Sequence, residues 1–139
     1  MTAVGARQVL RANALFDLAV GLLLLAGTWD GLWDALDLPQ GQPAVFVQVG
    51  GATVVALAYL LWQAADHARP REPVARAAAG ADGLAALIVL VWLVTGLPED
   101  VDALGTALLI ALVVVLGAFA ALTARIARVP GPEEFKRPP

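Results

Sequence analysis

The sequence contains no cysteine, one histidine and one lysine. Without cysteine, the chain cannot form disulfide frameworks, thiol redox relays, iron–sulfur clusters or zinc thiolate sites. The single histidine, His67, excludes bis-histidine haem ligation within one chain. Charge is also scarce: 15% of the residues are charged, 60% are hydrophobic, and the mean hydropathy is +0.77. Soluble domains average about 45–50% apolar and about 25% charged residues, so this composition predicts an integral membrane protein.

Four long apolar stretches predict the architecture. A spanning helix needs about 20 mostly apolar residues, and each span must satisfy its own backbone hydrogen bonds. We therefore predict an all-α, polytopic four-helix bundle over residues 1–129, followed by a flexible cytoplasmic tail over 130–139. The first helix is expected to be retained rather than cleaved as a signal peptide, because Asp17 interrupts its apolar run. The predicted helices are 8–27, 43–65, 73–96 and 99–126, with a short interfacial helix over 28–37.

The charged residues are segregated by side. All nine lysines and arginines lie on one side of the predicted bundle, and the opposite side carries acidic residues and no base. Because positively charged loops stay in the cytoplasm, both termini and the 66–72 loop are predicted to be cytoplasmic in a bacterial inner membrane. This asymmetry argues against a dual-topology antiparallel dimer. The basic residues are Arg7, Arg11, Arg69, Arg71, Arg76, Arg125, Arg128, Lys136 and Arg137.

The predicted outer loop contains a short amphipathic helix. Two tryptophans and two leucines recur on one helical face, while carboxylates occupy another face. Such a helix lies in the membrane interface with its tryptophan rings at headgroup depth, where it acts as an anchor or as a lid over the bundle. The alternative is a docking site for a cationic partner or a metal ion, although no calcium-loop spacing is present. The residues assigned to this surface are Trp29, Asp30, Trp33 and Asp34.

The chain contains a weak internal repeat. Arg11 precedes Asp17 by six residues, and Arg76 precedes Asp82 by six residues. Aligning these pairs predicts two related helical hairpins that run parallel to each other, an arrangement familiar among membrane proteins with internal repeats. Chance similarity in a chain rich in alanine and leucine is the alternative.

Two carboxylates lie inside predicted spans. An ionised aspartate near the bilayer centre costs on the order of 2.5–3.5 kcal/mol on insertion scales, so Asp17 and Asp82 should face the bundle interior. Asn13 shares a helical face with Asp17, and Gln48 adds a polar group on the second span. One hypothesis is that these residues join helices by hydrogen bonds. The other is a binding site for a ligand, an ion or a proton.

Arg11 and Arg76 lie near the predicted inner interface. Long arginine side chains at this depth extend to the phosphate headgroups. The alternative is that they line the mouth of an inward-facing cavity and hold an anionic group such as a lipid phosphate.

Three features form a pattern that is shared with a known group of membrane proteins. They are an Arg-Ala-Asn…Asp…Gly-Leu-Leu opening, a tryptophan-bearing outer loop, and a Gly/Ala-rich second helix that ends in an aromatic-Leu-Leu segment. By these features the chain resembles the small DoxX-like four-helix membrane proteins of bacteria. The resemblance spans most of the chain and implies a four-helix bundle without implying an activity. The matching residues are Arg11, Ala12, Asn13, Asp17, Gly21, Leu22, Leu23, Tyr59, Leu60 and Leu61.

Two other families of similar size fit less well. Small multidrug transporters carry an essential glutamate in helix 1, where this chain has Asp17, and many of them have dual topology. Fluoride channels carry a Gly-rich motif followed by arginine, which this chain lacks.

Catalytic motifs are missing from the sequence. It contains no P-loop, GxGxxG, HExxH or GxSxG, and no nucleophile–base pair can be assembled with the only histidine at the membrane edge. We therefore predict a non-enzymatic protein with no cofactor or metal, which contacts membrane lipids and binds another membrane protein or itself, and no nucleic acid. The alternatives are a binder or carrier of a lipid or quinone, and a small proton-coupled transporter that uses Asp17 and Asp82.

Overall fold

The computed structural model describes residues 3–26, 29–36, 38, 44–67, 71–95 and 101–128. Every regular element in these ranges is an α-helix, which confirms the all-α prediction. The predicted 130–139 tail lies outside the described residues. The helices are α1 Ala3–Leu25, α2 Asp30–Leu36, α3 Ala44–Asp66, α4 Arg71–Thr95 and α5 Ala103–Ala127.

The four long helices are able to cross a membrane by length and composition. They contain 23 or 25 residues each. At 1.5 Å per residue, such helices are about 34–38 Å long, whereas the hydrocarbon core is about 30 Å thick. The fold is therefore that of a multi-pass helical membrane protein with four spans, as predicted.

The helix bounds differ from the predicted ones by five residues or fewer. α1 begins at Ala3 rather than at residue 8. α5 begins at Ala103 rather than at residue 99, because Asp102 caps it: its carboxylate accepts a 2.6 Å hydrogen bond from the backbone N–H of Leu104. A carboxylate at this position satisfies one of the free N–H groups of the first turn.

The long helices form two hairpins. α1 packs extensively along α3 (hairpin 1), and α4 packs extensively along α5 (hairpin 2). The hairpins meet through the smaller contacts of α3 with α4 and of α1 with α5. Because these four pairs are the neighbours, α1 and α4 stand diagonally across the bundle and run in the same direction. This is the arrangement that the internal repeat predicts.

The hydrophobic core lies at one end of the bundle. This basic end holds Arg7 and Arg11 of α1, together with the last turn of α3 and the first turn of α4. Arg71 joins the two hairpins there, because its guanidinium donates to the carbonyls of Ala64 and Ala65 at 3.2 and 3.1 Å. The buried cluster is mostly alanine, which lets the helices approach closely. It comprises Ala6, Leu10, Ala14, Leu61, Ala64, Ala65, Ala75, Ala78 and Ile126.

Burial decreases toward the opposite, acidic end, where Asp34 and Asp102 lie. In hairpin 1 the helices cross closely at two glycines: a Cβ built on Gly51 would lie 2.8 Å from the carbonyl oxygen of Gly21. In hairpin 2, no residue of α4 beyond Asp82 is buried. The two hairpins are thus held together by the basic half of the molecule.

Candidate functional site

Three polar side chains meet across the diagonal of the bundle. Asn13 and Asp17 lie one turn apart on α1, and Asp82 faces them from α4. The Nδ2 group of Asn13 donates a 2.9 Å hydrogen bond to Oδ2 of Asp82. The three residues are 0%, 4% and 3% exposed, respectively. We refer to Asn13, Asp17 and Asp82 as the polar cluster.

The alanine-rich core explains why these residues come together. Ala14 on α1 and Ala78 on α4 are buried beside the polar cluster, and their short side chains allow the diagonal helices to approach within reach of an asparagine. Asp82 lies 11 residues after the start of α4, about 16 Å along the helix at 1.5 Å per residue. The polar cluster therefore lies at mid-depth, directly above the alanine core.

Two oxygens of the polar cluster have no hydrogen-bond partner. They are Oδ1 of Asn13 and Oδ2 of Asp17, and both atoms are buried. The carboxyl groups of Asp17 and Asp82 are close enough for their charges to interact. A buried polar atom without a partner costs about 1–3 kcal/mol. The arrangement is therefore unfavourable unless a hydrogen-bond donor or a positive charge lies beside these two oxygens.

Gln48 does not lie with the polar cluster, although it does form a hydrogen bond between two spans. It is the fifth residue of α3, which begins at the acidic end, and its Nε2 donates to the carbonyl of Leu25 at 3.4 Å. Leu25 ends α1, eight residues beyond Asp17. The antiparallel course of α3 thus separates Gln48 from the carboxylates.

The predicted headgroup residues have partners within the protein. The Nη2 group of Arg11 binds Oδ1 of Asp66 at 2.9 Å, and its guanidinium lies 5.2 Å from the ring centre of Trp62. Arg76 pairs with Glu72, four residues earlier on α4, at 2.6 Å. Both arginine side chains remain partly exposed at 43% and 72%. The prediction that they contact lipid phosphate stays a prediction.

The two outer tryptophans lie in different environments. Trp33 is buried, with 7% of its surface exposed, whereas Trp29 is 66% exposed. α2 begins only at Asp30, so Trp29 precedes its first turn, and the prediction of one tryptophan-bearing interfacial face stays a prediction. Asp34 is exposed as expected, and the side chain of Asp30 lies outside the described residues.

Sequence reasoning missed several residues that position the site. Asp66 holds Arg11 from 55 residues away, and Arg71 ties the start of α4 to the end of α3. Long-range pairs of this kind leave no local signal in one sequence. Across the part of the chain that the structure describes, no group of three or more acidic, histidine or cysteine residues converges on a metal position.

Comparison of the chain with protein-family models, with curated proteins and with solved structures finds no match. By its own architecture the chain is a four-span helical membrane protein with a buried polar cluster. The DoxX-like resemblance stays a prediction.

Proposed function

We propose that the protein is a small non-enzymatic subunit of a bacterial inner-membrane assembly, and that it binds its membrane partner through the acidic half of α4. The observation that carries this proposal is the lack of any buried residue in α4 beyond Asp82. The same helix supplies Ala75, Ala78 and Asp82 to the interior nearer its start. Beyond Asp82, the residues of α4 that the structure describes are half-buried against α5 at most.

The chemistry of this segment suits another transmembrane helix. Residues 83–95 contain no charged residue, and most of their large side chains are exposed, from Leu90 at 45% to Val94 at 77%. Between helices in lipid, association depends on close packing and on interhelical hydrogen bonds. The exposed face of this segment, which includes Leu84, Leu87 and Val91, is apolar and is therefore able to pack against a partner helix. The partner is therefore another membrane protein or a second copy of the chain.

A photo-crosslinking amino acid tests this surface in cells. Placed at Val91 or Val94 of α4, both exposed, it should yield a discrete crosslinked product. The matched control is Val49 of α3, which is also exposed in the acidic half and should give none. A product of about twice 14.4 kDa would identify a second copy, and a larger one would identify another protein. Equal, diffuse labelling of lipid from all three positions would contradict the proposal.

The proposed orientation places the basic end in the cytoplasm, in keeping with the retention of positive loops there. The cysteine-free sequence allows a clean test with single-cysteine variants. Trp29→Cys lies toward the acidic end and His67→Cys at the basic end, and both positions are exposed. An impermeant thiol reagent should label Trp29→Cys in intact spheroplasts, and should label His67→Cys only after the membrane is opened. The reverse pattern would overturn the orientation.

A second candidate function is supported by the polar cluster. Its two unpaired oxygens suit a binder of a lipid or quinone, or a proton-coupled transporter that uses Asp17 and Asp82. Native mass spectrometry of gently extracted protein separates the candidates. A retained adduct of lipid or quinone size favours small-molecule binding, whereas a protein-sized adduct favours assembly.

A further inference from the structure

The polar cluster has an excess of acceptors. The Nδ2 group of Asn13 donates to Asp82, whereas Oδ1 of Asn13 and Oδ2 of Asp17 have no hydrogen-bond partner. Both residues are at least nine-tenths buried, so neither oxygen reaches bulk solvent. These two oxygens therefore lack a positively charged or hydrogen-donating partner.

No side chain of the described helices supplies that group. Arg11, the nearest base before Asp17 on α1, directs its Nη2 to Asp66 and its guanidinium over Trp62, and its buried Nε donates to neither oxygen. On α4, the nearest base is Arg76, which pairs with Glu72.

The neighbouring helices add no counter-charge at this depth. The only charged residue of α3 is its last, Asp66, and the only charged residue of α5 is Arg125, near its end. The hydroxyl of Thr123 is already committed to the carbonyls of Phe119 and Ala120.

A buried water molecule would answer only part of this need. Water donates two hydrogens to buried acceptors, but it leaves the charges of two adjacent carboxylates uncompensated. Taking ions out of water is costly unless they are paired, and the cost is greatest inside a bilayer. A positive charge, by contrast, satisfies the two oxygens and lowers the net charge in one step.

We infer that the polar cluster binds a single monovalent cation, a sodium ion or a proton, between α1 and α4. The ligands are Oδ2 of Asp17, Oδ1 of Asn13 and the carboxylate of Asp82. Hard oxygen ligands suit such ions, and among the described residues no group of three or more acidic, histidine or cysteine side chains converges to hold a metal ion. The crosslinking test of the α4 surface and the test of this site use different readouts, so failure of one proposal is distinguishable from failure of the other.

The test is the thermal unfolding of the full-length protein in nanodiscs. Sodium chloride is exchanged for choline chloride at constant ionic strength and alkaline pH, and in a separate series the pH is lowered in choline chloride alone. The wild type should be stabilised by sodium if the occupant is the alkali ion, and only by acidification if it is the proton. A wild type that responds to neither would overturn the inference.

The variant Asp17→Asn keeps the shape of the site and supplies the missing hydrogen through its amide. It should therefore fold, and its unfolding temperature should lose the cation-dependent shift. Asp34→Asn, at an exposed carboxylate of α2, is the matched control and should keep the wild-type shift. Infrared difference spectra with isotope-labelled aspartate provide a second readout, because occupancy changes the carboxyl bands in the wild type but not in Asp17→Asn. An undiminished shift in Asp17→Asn would refute the site.

Discussion

The two hairpins are built from similar residues but differ in how closely their helices approach. In hairpin 1, a Cβ on Gly21 would lie 2.7 Å from Cγ2 of Val55 and 3.0 Å from the carbonyl oxygen of Gly51. In hairpin 2, a Cβ on Gly83 would make an ordinary 3.8 Å contact with Ala120. Hairpin 1 therefore requires glycine at positions 21 and 51, whereas Gly83 of hairpin 2 leaves room for a methyl group. A glycine in a helix indicates close packing only where the backbone of a neighbouring helix lies against it.

The largest effect should follow from breaking the crossing of hairpin 1. In Gly51→Ala the new Cβ would lie within 3 Å of three atoms, two of them backbone, so the helices must separate. Overpacking costs typically about 1–3 kcal/mol, and we expect about 3 kcal/mol because main chain cannot give way like a side chain. The measurement is reversible unfolding in mixed detergent micelles.

Two substitutions serve as controls for Gly51→Ala. Gly50→Ala adds a methyl group that meets nothing within 4 Å, and Gly83→Ala tests the corresponding contact of hairpin 2. Both should change the free energy of unfolding by less than about 1 kcal/mol, the usual difference between glycine and alanine in a helix. If Gly83→Ala were as harmful as Gly51→Ala, the contrast between the hairpins would be wrong.

A smaller effect should follow from cutting the link between the hairpins. Asn13→Leu leaves the buried carboxylate of Asp82 without its donor, and an unsatisfied buried group costs about 1–3 kcal/mol. Adding Asp82→Leu should recover most of the loss, because replacing both partners by apolar groups is nearly neutral. Gln48→Leu, which removes a long 3.4 Å bond, is the control. A double variant no more stable than Asn13→Leu alone would argue against the pairing.

The smallest effect distinguishes two arginines at the start of hairpin 2. Arg71→Ala removes two hydrogen bonds to the end of α3, and at about 0.5–1.5 kcal/mol per bond we expect a loss of about 1 kcal/mol. Arg76→Ala removes an exposed pair four residues apart, worth about 0.3–0.5 kcal/mol. The same unfolding assay ranks them, and equal losses would mean that Arg71 does not hold the hairpins together.

The sequence was sufficient to predict the spans and the inward position of two carboxylates, because lipid excludes free backbone groups and charge alike. It was not sufficient to place Gln48, whose depth depends on where α3 begins, or Trp29, which α2 leaves outside its first turn. It also missed the bond between Asn13 and Asp82, since the residues that face each other across a diagonal depend on the rotation of both helices. Periodicity in one segment does not determine that rotation.

The bond between Asn13 and Asp82 joins residues 69 positions apart, which has a consequence for biosynthesis. At about 5–20 residues per second, the ribosome needs roughly 3–14 s to proceed from one to the other. During that interval we expect α1 to be in the membrane while Asn13 still lacks its hydrogen-bond acceptor on α4. The Gly21–Gly51 crossing needs only the first half of the chain, so we expect hairpin 1 to assemble first. We expect the polar face of α1 to remain without its partner until α4 arrives and Asp82 accepts the bond from Asn13.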